Sequence, residues 1–229
     1  MEIFGLEKLS LVDYDEYLTA TIFTNGCNFR CPFCHNGALV TSLNQKEIPF
    51  EEILEFLKTR INKLDAVTIS GGEPTLHKDL VNQIKEIKKL GFKIKLDTNG
   101  SNPKILKELI ENNLIDYVAM DIKNKLDKYN LTTGVNNLNI NPIIESINLI
   151  MSSQIEYEFR TTIIDEFHNK EDIVEIAKMI KGAKKYRLQK YVDRDGCIVS
   201  GFHEIEKSVA LDIVDTIKEY INDVELRGY

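Results

Sequence analysis

The sequence lacks any long apolar segment. No stretch approaches the roughly 18 consecutive apolar residues of a membrane span. The acidic N-terminus also lacks the basic start and apolar run of a signal peptide. A net charge of −7 gives no general basic field for binding nucleic acid. We therefore expect a cytoplasmic protein without a membrane or nucleic-acid partner.

Cysteine is scarce, with four residues in 229. In a reducing compartment, cysteines bind metal or do redox chemistry more often than they form disulfides. Three of the four, Cys27, Cys31 and Cys34, lie together in the segment TNGCNFRCPFCHNG. Internal repeats, low-complexity runs and composition breaks are absent as well, so residues 1–229 predict one domain.

Short apolar runs alternate with segments of helical period along the chain. Six predicted strands, each followed by an amphipathic segment, cover residues 18–25, 66–70, 92–98, 115–122, 155–164 and 184–191. This alternation predicts an α/β fold with a parallel sheet. Periodicity leaves two arrangements open, a doubly wound sheet and a curved sheet like an incomplete (βα) barrel. In both, ligand sites form at the carboxyl ends of the strands.

The cysteine cluster directly follows the first predicted strand, with the spacing Cys-x3-Cys-x2-Cys. A structural zinc site would need a fourth ligand, from His35 or the distant Cys197. Three separate core cysteines are a second interpretation, although the polar flanking residues do not resemble a core. Thiolates also hold 4Fe–4S clusters, which usually take four. Three thiolates would leave one iron open to bind a substrate or cofactor.

A second motif, TISGGEPTLH, ends the next predicted strand. Gly71 and Gly72 permit close backbone approach to a ligand, and Glu73 adds a carboxylate. The same residues could form only a strand-to-helix turn.

Two further strand ends carry acids. Asp97, Thr98 and Asn99 end the third predicted strand, and Asp121 and Lys123 end the fourth. Two neighbouring carboxylates repel each other unless one is protonated or a cation lies between them. The alternative is that both acids cap the following loop or helix.

On the last two predicted strands, Arg160, Thr162 and Gln189 share one sheet face. Arg160 could pair with a neighbouring acid, as buried arginines usually do.

The segment CNFRCPFC resembles the signature of the radical S-adenosylmethionine (SAM) enzymes, with Phe33 in the aromatic position. The resemblance implies a partial (βα)6 TIM-like barrel with the cluster loop at residues 26–37. It also implies a 4Fe–4S cluster on the three cysteines, with SAM on the open iron. One electron would then cleave SAM to methionine and a 5′-deoxyadenosyl radical. In that superfamily the GGEP element meets the SAM amino group.

The strand-end segments resemble those of the glycyl-radical enzyme activases. That likeness implies a monovalent cation at Asp97, Thr98 and Asp121, and a lysine near SAM at Lys123. Arg160 could contact the SAM carboxylate or ribose, and His35 could lie beside the adenine or only fix its turn. The cofactor-binding positions predicted in this way are Phe33, His35, Gly71, Gly72, Glu73, Asp97, Thr98, Asn99, Asp121, Lys123, Arg160, Thr162 and Gln189.

Within the activases, segments such as SLVDY, DYVAMDIK, FRTTII and YRLQKY are similar to the activating proteins of anaerobic ribonucleoside-triphosphate reductase. The resemblance implies that enzyme as protein substrate and a flavodoxin- or ferredoxin-like electron donor. Another radical SAM reaction, on another glycyl-radical enzyme, a peptide or a small molecule, would share the same motifs. A non-enzymatic iron–sulfur or zinc module would have no use for GGEP and the strand-end acids.

One departure from this group lies near the N-terminus, where Asp15 and Glu16 stand in place of an expected Pro-Gly. It affects the shape of a turn that the resemblance places near the substrate entrance. Cys197 lies far from the cluster motif and is expected to be a loop cysteine, because one thiol alone cannot hold an auxiliary centre.

Overall fold

A computed structural model of the protein describes residues 1–41 and 46–229. Within these residues eight strands form one sheet. The strands are β1 Ile3–Ser10, β2 Thr19–Thr24, β3 Ala66–Gly71, β4 Lys93–Thr98, β5 Tyr117–Asp121, β6 Glu156–Ile163, β7 Tyr186–Lys190 and β8 Val224–Arg227.

Helices connect most of these strands. They are α1 Gly37–Thr41, α2 Phe50–Lys58, α3 Leu80–Lys89, α4 Pro103–Glu111, α5 Tyr129–Thr133, α6 Asn141–Ser152, α7 Lys170–Met179 and α8 Lys207–Ile217. Local sequence explains several boundaries: Asn102 caps α4 and Asn169 caps α7. None of the helices in the described ranges is long and apolar enough to cross a membrane.

The strand order decides between the two predicted arrangements. Strands β2 to β8 are parallel and each pairs with its neighbour in sequence, whereas β1 pairs antiparallel with β2. In a doubly wound sheet the spatial order of the strands reverses at a switch point. In this sheet the spatial order follows the sequence from β1 to β8. The prediction of a partial (βα) barrel is therefore confirmed.

The six predicted strands correspond to β2 through β7. The two strands that the sequence analysis missed, β1 and β8, are the edges of the sheet. Edge strands are partly exposed and lack the continuous apolar run of a buried parallel strand. The central residues of β1 are half-buried or exposed, and β8 has only four residues.

The two faces of the sheet differ in polarity. Alternate residues such as Ile94 and Leu96 belong to the main apolar core. The residues between them carry a row of charges on the other face. Successive ion pairs, with N–O distances of 2.8 to 4.0 Å, link Asp121, Arg160, Asp97, Lys95, Glu158, Arg227 and Asp15.

The turn that contains Asp15 and Glu16 lies at the amino ends of the strands. Tyr14 packs on Tyr117, the first residue of β5, with ring centroids 5.4 Å apart, and Asp15 pairs with Arg227 at 2.8 Å. The cysteine loop follows the carboxyl end of β2. This turn therefore lies at the end of the sheet opposite the cysteine loop, and its part in a substrate entrance stays a prediction.

We predict that Glu16→Gly stabilises the protein. Glu16 has a φ of +70°, a conformation that costs a side chain-bearing residue about 1 kcal/mol relative to glycine. Thermal unfolding followed by circular dichroism should show a rise in Tm of about 2–4 °C. Asn62→Gly is the matched control because Asn62 has a φ of +63° but asparagine tolerates this region. A lower Tm for Glu16→Gly would contradict the prediction.

Candidate active site

The cysteine loop follows β2 and is fixed by its own backbone. Gly26 N–H donates to Leu39 O at 2.9 Å, and Cys34 N–H donates to Cys31 O at 3.0 Å. Cys31 is buried, and Cys27 and Cys34 are half-buried. The loop therefore presents three thiols from one compact turn.

Gly71 and Gly72 lie where β3 ends and a turn begins. They allow the cysteine loop to lie directly against that turn. A side chain at Gly72 would place its Cβ 1.8 Å from Gly26 O, and one at Gly71 would lie 2.4 Å from Thr24 N. Gly72 N–H donates to Thr24 O at 2.9 Å, and Glu73 N–H donates to Gly26 O at 2.8 Å. The glycines thus serve a backbone-to-backbone contact, in addition to any approach to a ligand.

Glu73 is fully buried and does not line the cavity that the three cysteines line. Its carboxylate accepts hydrogen bonds from Thr75 N–H at 3.1 Å, Thr98 Oγ1 at 2.8 Å and Asn99 N–H at 2.6 Å. Burial raises the pKa of Glu73, and these donors oppose the rise. The carboxylate joins the turn after β3 to the end of β4, so this position does not support the predicted direct contact with SAM.

Asn99 extends this network to the cysteines. Its Nδ2 donates to Asn28 Oδ1 at 2.9 Å and lies 3.7 Å from Cys27 Sγ. Phe29 N–H donates to the same sulfur at 3.3 Å. Hydrogen bonds to ligand sulfurs are one of the means by which proteins set the reduction potential of an iron–sulfur cluster.

The predicted site residues converge on one cavity of about 240 Å³ at the carboxyl ends of the strands. In the described part of the chain, every predicted site residue except Glu73 lines it. They are Cys27, Cys31, Phe33, Cys34, His35, Gly71, Gly72, Asp97, Thr98, Asn99, Asp121, Lys123, Arg160, Thr162 and Gln189. Phe29, Asn36, Val40 and Ser70 also line it and were missed. Ser70 shares the inward face of β3 with Thr68, so strand alternation could have identified it.

Charged groups in the cavity neutralise one another. Arg160 Nε lies 2.8 Å from Asp121 Oδ1, its Nη1 lies 3.4 Å from Asp97 Oδ1, and Lys123 Nζ lies 2.9 Å from Asp121 Oδ2. Burial raises the pKa of Asp121, but Arg160 and Lys123 outweigh it and hold the pKa at about 2. Arg160 therefore has the predicted structural pairing and also faces the cavity.

The pairing of Arg160 with both carboxylates reduces the need for the predicted monovalent cation. The Arg160 guanidinium already bridges the two carboxylates and relieves their repulsion. Thr98 Oγ1 donates to Glu73. The cation stays a prediction, and the charge that would attract it is largely neutralised by the protein.

Burial disfavours the thiolate form of all three cysteines in the metal-free protein. Burial raises the pKa of Cys27 to about 11 and that of Cys31 to about 12, and it also raises that of Cys34. The nearby ammonium of Lys123 lowers all three pKa values. Lys123 therefore supplies a positive charge that favours thiolate ligands.

The donor set fits an iron–sulfur cluster better than a single ion. Residues 1–41 and 46–229 contain no group of three or more His, Cys, Asp or Glu side chains arranged to hold one metal ion. A cubane cluster binds each thiolate through a different iron, so its ligands need not meet at one point. Three thiols around one cavity, with a cation beside them, suit the cluster.

His35 is held by a segment near the end of the chain. Its Nε2 donates to Val192 O at 2.9 Å, Arg194 Nη2 donates to its Nδ1 at 3.3 Å, and its ring stacks on Tyr191 with centroids 5.7 Å apart. Both ring nitrogens are thus occupied. This favours the turn-fixing interpretation and removes His35 as a ready fourth zinc ligand.

Cys197 belongs to the same segment. Its sulfur lies 4.0 Å from Phe33 O and 3.8 Å from the Tyr191 hydroxyl, outside the lining of the described cavity. Gly37 N–H donates to Gly196 O at 3.1 Å, and Val199 N–H donates to Pro32 O at 2.8 Å. Cys197 therefore lies in a loop that braces the cysteine loop.

Comparison with known sequences agrees with this geometry. The sequence model of the Radical SAM superfamily matches residues 21–180. A Methanocaldococcus jannaschii protein provisionally named a glycyl-radical enzyme activating enzyme is 39% identical over 83% of this chain and 80% of its own length. The pyruvate formate-lyase-activating enzyme of Clostridium pasteurianum is 29% identical, covering 82% of this chain and 81% of its own length.

Solved structures share the fold. The Streptococcus suis protein SuiB, crystallised with S-adenosylmethionine, has a TM-score of 0.71 and 16% identity, covering 90% of this chain. This chain spans 49% of that structure. A domain of the pyruvate-formate lyase-activating enzyme from Bacteroides vulgatus has a TM-score of 0.59 and 18% identity, covering 72% of this chain and 99% of its own length.

We predict that Cys27→Ser, Cys31→Ser and Cys34→Ser each abolish stable iron incorporation, because each removes a thiolate ligand from the candidate site. Cys197→Ser should retain wild-type iron content because that thiol lies outside the cavity. Iron and sulfide analysis after anaerobic reconstitution measures both results. Loss of iron in Cys197→Ser would contradict the assignment of Cys197 to the bracing loop.

The raised thiol pKa values predict an unusual pH dependence of alkylation. In the metal-free protein, the iodoacetamide reaction at Cys27 should rise about tenfold per pH unit through pH 9.5, since the reactive thiolate remains the minor form below about pH 11. An ordinary cysteine levels off near its pKa of about 8.5. Peptide mass spectrometry measures the rates, and the urea-unfolded protein is the control. A plateau near pH 8.5 in the folded protein would show that burial does not protect the thiol.

Proposed function

The chain belongs to the radical SAM superfamily and, within it, to the glycyl-radical enzyme activating enzymes, and we propose that it activates an anaerobic ribonucleoside-triphosphate reductase. The radical reaction is supported by the convergence of the cysteine loop, the GGEP turn and the strand-end charges on one cavity, and the reductase as target is supported by sequence likeness. The fold alone would leave many radical reactions open.

We assign the cluster to Cys27, Cys31 and Cys34. When bound, a reduced 4Fe–4S cluster with SAM on its open iron supplies the electron that cleaves SAM to methionine and a 5′-deoxyadenosyl radical. The protein holds the three thiolates in one turn, and Lys123 offsets part of their negative charge. Phe29 N–H and Asn99 donate toward Cys27 and favour its thiolate form.

We assign the SAM contacts to the charged groups of the cavity. Lys123 and Arg160 suit the SAM carboxylate, because both are cations that line the cavity. Asp97 lines the same cavity, and its carboxylate suits the SAM amino or ribose hydroxyl groups. Gly71 and Gly72 present backbone to the same space, whereas Glu73 acts through Thr98 and Asn99.

We propose a polypeptide substrate for this cavity. The radical would remove a hydrogen atom from one glycine Cα of the partner enzyme, so a chain segment must reach the site. The sheet of the described residues ends at β1 on one side and β8 on the other, without pairing between these strands. We propose that a segment of the partner enters on this side, past the ion pair between Asp15 and Arg227 that links the turn after β1 to β8. The single sheet also supports treating residues 1–229 as one domain.

The choice of reductase as target depends on sequence likeness. The segments that carry it include DYVAMDIK in β5, FRTTII in β6 and YRLQKY in β7, so they build the sheet face below the cavity. A flavodoxin- or ferredoxin-like electron donor is a further part of the proposal that rests on the same likeness. The monovalent cation at Asp97, Thr98 and Asp121 rests on likeness to the glycyl-radical enzyme activases, and the cytoplasmic location rests on composition.

Anaerobic reconstitution tests the proposal. The protein with iron, sulfide, reductant and SAM should release 5′-deoxyadenosine. Added anaerobic ribonucleotide reductase should then acquire the doublet electron paramagnetic resonance signal of a glycyl radical. We expect a reductase whose radical-site glycine is changed to alanine to give no signal, because the hydrogen atom comes from that Cα.

Two outcomes count against different parts of the proposal. Absence of 5′-deoxyadenosine with fully loaded protein would refute the radical reaction. Product without a reductase signal, but with a signal on pyruvate formate-lyase, would retain the activase and reject the target. The Cys31→Ser variant controls for iron that is not bound at the site.

A further inference from the structure

His168 is a buried histidine that the sequence analysis left without a role. It follows β6 and is 3% exposed. Ile164 N–H donates to its Nδ1 at 3.2 Å, which leaves the proton on Nε2. Nε2 then donates to the carbonyl oxygen of Lys123 at 2.9 Å. Both nitrogens of a neutral ring are therefore used, and one of them holds the backbone of a cavity residue.

A second buried ring holds Lys123 from the other side of its peptide. Lys123 N–H donates to the hydroxyl oxygen of Tyr129 at 3.2 Å, and Tyr129 is fully buried. The next residue, Asn124, is also fully buried and donates to Phe167 O and Thr132 Oγ1, both at 2.9 Å. The loop after β5 is thus fixed by side chains, since Lys123 lies beyond the strand.

Lys123 needs such support because of what its side chain does. Its ammonium lies 2.9 Å from Asp121, and Lys123 lines the same cavity as the three cysteines. A lysine side chain has many rotamers and no planar fork to fix its direction. The backbone of Lys123 sets where this flexible side chain starts, and Asp121 holds its ammonium at the cavity.

We propose that His168 is a positioning residue which, through its bond to the Lys123 carbonyl, holds the Lys123 ammonium where it meets the carboxylate of SAM. This inference rests on the proposed function. It assigns His168 no contact with the substrate. Phe167, beside it, packs on Phe33 of the cysteine loop with centroids 5.6 Å apart, so a purely structural role is the alternative that the test must separate.

The test compares four variants of the reconstituted protein. His168→Leu removes the donor, and His168→Gln keeps a side-chain N–H at a similar reach. Lys123→Met removes the ammonium, and the fourth variant combines Lys123→Met with His168→Leu. Isothermal titration calorimetry measures the Kd of SAM, and iron content together with Tm reports the cysteine loop and the fold.

The expected pattern is specific. His168→Leu should weaken SAM binding at least fivefold with unchanged iron content, and His168→Gln should restore the Kd to within twofold of wild type. In the Lys123→Met background, His168→Leu should weaken binding no further, since residues that act through one group are not additive. Additive losses, or a His168→Gln variant as weak as His168→Leu, would overturn the proposal.

A further variant covers the case in which His168→Leu does not fold. Tyr129→Phe removes only the acceptor of the Lys123 N–H bond. It should weaken SAM binding when Lys123 is present and leave it unchanged in the Lys123→Met background. Equal losses in both backgrounds would overturn the proposal in that case.

The outcomes also separate this inference from the proposed function. Wild-type protein that binds no SAM and releases no 5′-deoxyadenosine would reject both. Wild-type protein that binds SAM, with His168→Leu binding it equally well, would reject only the positioning role. The reduced cluster's electron paramagnetic resonance spectrum gives a second readout, because a displaced Lys123 should alter the spectral change that SAM causes.

Discussion

The close approach of two backbone turns is the constraint on which the rest of the site depends. Gly72 lies so near the Gly26 carbonyl that a Cβ would overlap it. Glu73 N–H then bonds to that carbonyl, and the Glu73 carboxylate reaches across to Thr98 and Asn99. Since parallel strands end at a common edge, these bonds lock the ends of β2, β3 and β4 into one rigid support for the cysteines.

Charge balance is the second constraint. The inner face carries acids and bases that would be costly to bury alone. Alternating ion pairs distribute them across the sheet. At the cavity, Arg160 and Lys123 neutralise Asp121 and Asp97, yet one oxygen of Asp97 is left without a hydrogen-bond donor among the described residues. The site is therefore close to neutral overall and still offers directed groups to a charged ligand.

Most of the central fold and cavity could be predicted from sequence because each depends on a local pattern. The strands β2 to β7 were recognised because each has apolar residues at consecutive or alternate positions, bounded by segments of helical period. The edges β1 and β8 were missed because exposure removes that pattern. The direction of Glu73 could not be read from GGEP, since the same letters permit a carboxylate that faces either a ligand or a neighbouring turn. The Tyr191–Val199 segment that braces the cysteine loop lies too far along the chain for any spacing argument.

Residue types and their spacing carry the chemistry of the site: three thiols at a cluster spacing, two glycines before an acid, and charged residues at successive strand ends. These features follow from residue type and from the alternation of strand and helix. Which of these groups meet depends on the tertiary structure. It placed Arg160 between Asp97 and Asp121, buried Glu73 behind the glycine turn, and brought His168 to the carbonyl of Lys123. Such contacts depend on the register and curvature of the whole sheet, which the periodicity of one strand does not contain.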